Sequence, residues 1–390
     1  MQNYLVELSS EVFTTFRCQK AANSLDIDTE KKSKHRLEVD ADLATPFNVG
    51  LIVGSSGSGK TTLAKNIFGD DCFKIDINPA LPVIDQFPEH MSYDDCALAL
   101  TAIGLTSVPC WIRPVYTLSN GQRARAEAAL LMSRSQDQAI VAMDEWTSVV
   151  DRTVAKVMSF CVAKFARRFN RTVVLNSCHY DVIEWLNPDW IIDCNRQTYE
   201  DRRTMVGAFE RTDRLRFDVK PADRKSWGFF SKYHYLNDNL SGGKIYNYGL
   251  WHGKEQIGFQ SFAAYIMGDH ETFFFNRTVI HPDYTGLGLG IKLINETSRD
   301  MVRKGFKVRG KFSSTPVYKA MSKEPDWRLI KIEKDMFKDQ MGRIKNFSVN
   351  NVLNRREKFR HKVVCYIFEF IWREQKKPPL REASTDQITA

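Results

Sequence analysis

Gly54-Ser55-Ser56-Gly57-Ser58-Gly59-Lys60-Thr61 carries the spacing G-x-x-x-x-G-K-[ST]. Glycines at that spacing let backbone N–H groups close around an anion. The lysine can then reach the β- and γ-phosphates of a nucleotide, and the threonine hydroxyl can hold Mg²⁺. Gly54, Ser55, Gly57, Ser58, Gly59, Lys60, Thr61 and Thr62 are the expected ATP-binding set. Further on, the apolar run Ala139 to Met143 ends in Asp144-Glu145. An acid pair there is placed to hold Mg²⁺ through water (Asp144) and to polarise the attacking water (Glu145). Two strand-end carboxylates alone would mean little; behind a phosphate loop they point to nucleotide hydrolysis.

The elements that must position these groups can be read locally. Phe47 to Val53 is an apolar run that enters the glycine loop, and Thr61 to Phe68 has helical spacing. Together they read as strand, loop and helix, the context a phosphate loop requires. Thr172 to Ser177 reads as another buried strand, with His179 just past its end. A lone His is more often structural, but its place after this strand favours a functional role. Leu118-Ser119-Asn120-Gly121-Gln122, starting 64 residues after Gly54, precedes an Ala-, Arg- and Leu-rich helical stretch from Arg123 to Ser133. A helix N-terminus is itself an anion site.

In this order the motifs resemble the ABC ATPase family, whose signature is L-S-G-G-Q; Asn120 stands where the family has its first glycine. The resemblance covers about residues 1–200. It implies that Ser119, Gly121 and Gln122 meet the γ-phosphate held by a partner subunit's phosphate loop, and hence a homodimer through the ATPase domains. It also implies catalytic roles for Glu145 and His179, a D-loop at Ser148-Val149-Val150-Asp151, and Mg²⁺ held by Thr61, Asp144 and Gln86, with Gln86 as the Q-loop glutamine. Phe13 and Phe16 are candidates for stacking on adenine. Transporter ATPases of the family generally spend more chain between the two motifs, so the short insert points to a soluble member.

From about residue 222 the texture changes. Trp227 to Leu236 is dense in aromatics, Ile245 to Trp251 and Glu255 to Phe262 read as a hairpin across His252-Gly253-Lys254, and Thr272 to Ile280 reads as a strand. That strand runs through His281-Pro282-Asp283-Tyr284-Thr285 into Gly286-Leu287-Gly288-Leu289-Gly290 and an amphipathic helix. A strand, a glycine loop and a helix again make a phosphate cradle; a glycine-rich turn in an unrelated α+β domain is the plainer reading. The segment resembles the CoA-binding stretch of GNAT acyltransferases, [RQ]-x-x-G-x-[GA], with Thr285 in place of the Arg or Gln. The resemblance implies acetyl-CoA, or another acyl-CoA, held at Gly286, Gly288 and Gly290, and a leaving-group tyrosine at Tyr318; His234 and His281 are candidate bases. A half-buried tyrosine is the alternative for Tyr318. The glycine loop and the His234-Tyr235-Leu236 entry also resemble the Mom branch, which modifies phage DNA bases.

Charge separates the halves. Residues 201–390 carry 36 Lys+Arg against 22 Asp+Glu, net +14, and residues 1–200 are net −5. A basic half suits a polyanion such as nucleic acid, or a phosphorylated cofactor. Between Gly342 and Lys362, Arg343, Lys345, Arg355, Arg356, Lys358, Arg360 and Lys362 face one acid, Glu357, with Phe347 and Phe359 interleaved. Such a segment suits phosphate contacts with base stacking, or an amphipathic element whose aromatics face a core. The eight cysteines are scattered with no C-x-x-C pair, which argues for a reducing cytoplasm. No apolar run is long enough to cross a bilayer, and nothing near Met1 reads as a signal peptide.

The expected fold class is α/β: an N-terminal P-loop, ABC-type ATPase domain (1–200), a connector (201–221), a C-terminal α+β, GNAT-like domain (222–376) and a tail (377–390). The expected function is an ATP-hydrolysing switch that gates a CoA-dependent acyltransferase acting on nucleic acid. The rivals are transfer to a protein or small amine, and a nucleic-acid-binding ATPase of genome maintenance or defence whose second domain only binds.

Overall fold

The computed structural model describes residues 1–10, 15–24, 33–134, 140–204, 215–234, 239–240, 242–264, 272–339, 344–345, 359–371 and 387–389. Phe13, most of the 342–362 basic segment, Tyr235, Leu236, most of the tail and residues 205–214 of the connector lie outside them. The chain forms two compact units. One comprises 1–79 and 118–213, the other 80–117 and 214–390.

In the first unit, β1 (Gln2–Ser10) and β2 (Ser33–Ala41) form an antiparallel ribbon. The main sheet holds β3 (Val49–Val53), β4 (Val141–Met143), β5 (Val173–Ser177), β6 (Trp190–Asp193) and β7 (Thr198–Asp201), in the order β4-β5-β3-β6-β7. The first four are parallel and β7 is an antiparallel edge. Every residue of β3, β4, β5 and β6 is buried, as expected of parallel strands covered on both faces. Leu37, Val39, Ile52, Leu63, Val174, Trp190 and Ile192 share one core. Crowding there is severe at Gly50, where a Cβ would fall 2.1 Å from Cζ2 of the Trp190 ring.

The strand start is fixed by a buried acid. Asp189, just before β6, accepts hydrogen bonds from the backbone N–H groups of Asn48 (2.7 Å) and Val49 (2.9 Å). Those are the donors at the entry to β3, so the strand that delivers the phosphate loop is held at its base.

The second unit is built on one nine-stranded sheet. Its strands are β8 (Arg216–Pro221), β9 (Ile245–His252), β10 (Glu255–Ala264), β11 (Thr272–Ile280), β12 (Lys307–Phe312), β13 (Trp327–Asp339), β14 (Ile344–Lys345), β15 (Phe359–Phe370) and β16 (Gln387–Thr389). Their order is β14-β13-β15-β12-β11-β10-β9-β8-β16. The expected hairpin is present, with His252 paired to Glu255 across Gly253-Lys254. One face packs on the helix Leu289–Arg303 through Phe262, Phe273, Ile294 and Met301. The other carries Phe259 and Val279 under Trp227 and Phe230 of the short helix Trp227–Phe230. The helices Tyr93–Ala102 and Val108–Trp111, from the insert between the two ATPase motifs, belong to this second unit.

Candidate functional site

The phosphate loop leaves β3 and closes on the helix Lys60–Phe68. Gly59 caps that helix with φ 90°, a left-handed conformation that costs a side-chain-bearing residue about 1 kcal/mol or more. No side chain caps the helix, so its first amides stay available to an anion. Lys60 is almost fully buried, and its ammonium makes three contacts: the carbonyls of Gly54 (3.0 Å) and Ser55 (2.9 Å) and the Glu145 carboxylate (3.1 Å). An ammonium has three N–H donors, so the lysine is fully engaged until a phosphate competes for it.

Thr61 and Asp144 meet as the motif order requires, with the threonine hydroxyl 2.8 Å from Oδ2. Oδ1 of Asp144 accepts from the Asn176 amide at 3.2 Å. One hydroxyl and one carboxylate, with phosphate oxygens and waters completing the shell, form a donor set that suits Mg²⁺. Glu145 follows with φ 44°, a strained value for a glutamate. Burial pushes its carboxyl up, but hydrogen bonds from Ser148, Lys60 and Cys178 and the Lys60 charge outweigh it and hold the group below the usual carboxylate range. The Ser148 bond is 2.6 Å.

The expected histidine is tied into the same group from β5. His179 donates its backbone N–H to the Ser177 hydroxyl (3.0 Å), and its Nδ1 lies 3.4 Å from the Cys178 sulfur. That sulfur is 3.9 Å from the Ser148 hydroxyl, which holds Glu145. Ser119 and Gln122 form a capping box at the start of the helix Asn120–Arg134: the Ser119 hydroxyl accepts from the Gln122 N–H, and the Ser119 N–H donates to the Gln122 side chain at 3.2 Å. Asn120 at the first helical position takes no part in this box, so the departure from glycine leaves the helix start intact. Gln86 lies in the second unit and donates its amide to the carbonyls of Leu81 and Pro82 at 3.2 Å each. Phe16 begins a short helix and is 80% exposed.

The second glycine loop repeats the device. Gly288 caps the helix Leu289–Arg303 with φ 79°, again with no side-chain cap. Gly290 lies in the helix's first turn, and Gly286 also has a positive φ. The Thr285 hydroxyl donates to the Gly104 carbonyl and also lies 2.7 Å from Pro282 O. β11 pairs in parallel with β12 only from Thr272 to Phe274, and the two strands then part. Against β10, the register jumps from Ser261↔Arg277 to Phe262↔Phe275, leaving Asn276 as a bulge. Bulges of this kind recur next to active sites.

Tyr318 lies on the helix Thr315–Met321, its ring stacked on Tyr366 at 4.1 Å. Lys319 of that helix pairs with Asp94 of the helix Tyr93–Ala102 at 3.1 Å. His281 is fixed between Tyr233, whose hydroxyl is 3.1 Å from Nε2, and the Asp283 N–H at Nδ1. His234 lies edge-on against Trp227, and burial with the nearby Arg277 charge depresses its pKa to about 4.

Asn176, Cys178 and the Asn276 bulge are the contributors that sequence reading missed. The Ser119–Gln122 box had a readable signal, the S-x-x-Q spacing. Among the described residues, no helix is long and apolar enough to cross a membrane, and the eight cysteines are free thiols.

No protein-family model matches the chain, and comparison with curated proteins finds no match. Among solved structures, a dimeric bacterial ABC transporter cassette is similar over 50% of this chain and 98% of its own, at 16% identity and TM-score 0.34. The ribosomal-protein-S18-alanine N-acetyltransferase of Escherichia coli is similar over 42% of this chain and 99% of its own, at 11% identity and TM-score 0.30. A GNAT-family acetyltransferase from Elizabethkingia anophelis with acetyl-CoA bound is similar over 39% of this chain and 96% of its own, at 13% identity and TM-score 0.28. At these identities and scores, function is read from the residues themselves.

Proposed function

We propose that the chain is an ATP-hydrolysing, ABC-type switch, active as a homodimer, that gates a CoA-dependent acyltransferase acting on nucleic acid. The observation that carries the ATPase reading is the convergence of Lys60, Thr61, Asp144 and Glu145 at one uncapped helix N-terminus. Lys60 and the loop amides bind the phosphates. Thr61 and Asp144 hold Mg²⁺, which would neutralise phosphate charge as the bond breaks, and Glu145 polarises the attacking water. Val149, beside the acid pair, is 61% exposed, as suits a residue that a second copy covers.

The second site supports acyl transfer through the Gly286–Gly290 cradle and the parting of β11 from β12. Tyr318 is the proposed proton donor to the leaving thiolate. Gating would run through residues 80–117. That segment leaves the first unit after Pro79, touches the glycine loop at Gly104 and the Tyr318 helix at Asp94, and returns one residue before Ser119. The nucleic-acid part rests on the net charge of +14 over residues 201–390.

Two titrations test the reading. Acetyl-CoA should bind the full chain in calorimetry; its failure to bind refutes acyl transfer. Affinity for DNA or RNA should fall steeply as salt rises; no binding at low salt refutes the nucleic-acid acceptor and leaves transfer to a protein or small amine.

A further inference from the structure

A carboxamide interrupts the apolar interior of the first unit. β5 is buried at every residue, and Asn176 stands near its end. Its parallel partner on β3 is Ile52, so the two side chains share one face of the sheet. On that face Ile52, Ala142 and Val174 pack with Leu63 and Ala64 of the helix Lys60–Phe68. A branched apolar residue suits such a strand best. Asn176 is instead fully buried, and its carboxamide oxygen has no hydrogen-bond partner. A polar group left unmade in an apolar layer works against stability. The reason for an asparagine here lies with the bond that its other end makes.

That bond goes to Asp144. β4 and β5 run parallel with Met143 opposite Leu175, which brings Asp144, one residue on, beside Asn176. The Asn176 amide donates to Oδ1 at 3.2 Å, and the Thr61 hydroxyl donates to Oδ2 at 2.8 Å. Asp144 itself is exposed, and an exposed aspartate without partners turns among its rotamers. Here one carboxylate oxygen is held from inside the sheet, and the other is left beside the hydroxyl at the head of the helix. The next residue of β5 works on the same turn, with the Ser177 hydroxyl 3.5 Å from that of Thr147.

We propose that Asn176 is a positioning residue for the Mg²⁺ site: its amide fixes the Asp144 carboxylate so that Oδ2 is presented beside Thr61. This rests on the ATPase reading given above. Asn176 acts through Asp144 alone. Its bond occupies the inward oxygen, so it does not compete with a cation for the outward one. Outer partners that orient a ligating carboxylate change metal affinity by about 10- to 100-fold when removed.

The test is calorimetry of the full chain with the non-hydrolysable analogue AMP-PNP, once with Mg²⁺ and once in EDTA. The ratio of the two affinities is the gain that Mg²⁺ brings. Asn176→Leu keeps the shape of the side chain and removes its amide. Asp144 is exposed, so water replaces the lost bond, and deleting the unmade oxygen should hold or raise the melting temperature. The Mg²⁺ gain should fall by about tenfold or more while affinity in EDTA is unchanged. Hydrolysis of ATP should need correspondingly more Mg²⁺ for half-maximal rate and recover when Mg²⁺ is saturating.

An unchanged Mg²⁺ gain overturns the proposal. Equal losses with Mg²⁺ and in EDTA also overturn it, because they make the bond a staple between β4 and β5 and nothing more. Asn176→Ala, which cannot crowd its neighbours, should show the same selective loss if the leucine packs badly. Wild-type protein that binds AMP-PNP no more tightly with Mg²⁺ than in EDTA refutes the Mg²⁺ role of Thr61 and Asp144, and the proposal falls with it.

Discussion

Under the proposed reading, Glu145→Gln separates two roles of one carboxylate. In the structure its Oε1 holds Lys60 at 3.1 Å, and its Oε2 accepts from Ser148 at 2.6 Å. Gln keeps the shape, loses the charge and loses most of its basicity. For hydrolysis, removing a positioned general base costs about 100- to 10,000-fold. For binding, the change runs the other way. Lys60 is only 4% exposed but Glu145 is 38% exposed, so the ion pair is partly solvated and is worth no more than about 1 kcal/mol. An incoming γ-phosphate must take Lys60 from Glu145, so the variant should bind ATP up to roughly fivefold more tightly. The assay pairs single-turnover hydrolysis with ATP calorimetry and sedimentation. An ATP-loaded dimer that barely hydrolyses is the expected result. A variant that hydrolyses at the wild-type rate, or stays monomeric with ATP, refutes the assignment of Glu145. Weaker ATP binding refutes the view that Glu145 restrains Lys60.

Gly50→Ala should lower the melting temperature by several degrees, because its Cβ would sit 2.1 Å from a fully buried tryptophan ring and overpacking costs about 1–3 kcal/mol; an unchanged melt would mean that the Trp190 ring can move. Gly288→Ala should weaken acetyl-CoA binding in calorimetry, since a left-handed φ of 79° costs a non-glycine residue about 1–2 kcal/mol at the cap of the cradle; unchanged affinity would place CoA elsewhere. His234 has its folded pKa depressed to about 4. The unfolded chain therefore binds the extra proton first, and the group's contribution is present above pH 6.5 and lost as pH falls towards 4, by up to about 3 kcal/mol. Urea melts of wild type and His234→Gln should diverge across that window, and parallel curves would argue against burial of a neutral imidazole.

The glycine loop was legible in the sequence because its pattern is local: its glycines, lysine and threonine stand within eight residues, where β3 passes into the helix Lys60–Phe68. Asp144 and Glu145 were legible because strand-end acids sit where β4 must end. Asn176 was not, since inside the fully buried β5 it reads as one more strand position; only the strand order β4-β5-β3 shows that it faces Asp144. The bulge at Asn276 was hidden for a related reason. A bulge is a mismatch in count between two strands, and neither strand's sequence contains it. For residues 80–117, the sequence placed the insert within a continuous ATPase domain of residues 1–200, but packing is not bound by chain order, and the segment gathers with the C-terminal unit.

That placement gives a physical account of Thr285. The GNAT-like pattern has an Arg or Gln there, a long side chain able to reach along a bound phosphate. Threonine is too short for that reach, and its hydroxyl instead donates to the carbonyl of Gly104. At this position the loop thus makes a contact with the insert. The Asp94–Lys319 pair is 38% and 50% exposed on its two side chains, so it contributes under about 1 kcal/mol and can break and reform cheaply. The insert thus meets the glycine loop through a hydroxyl bond and the Tyr318 helix through a solvated ion pair. Under the proposed reading, this is what a gate requires.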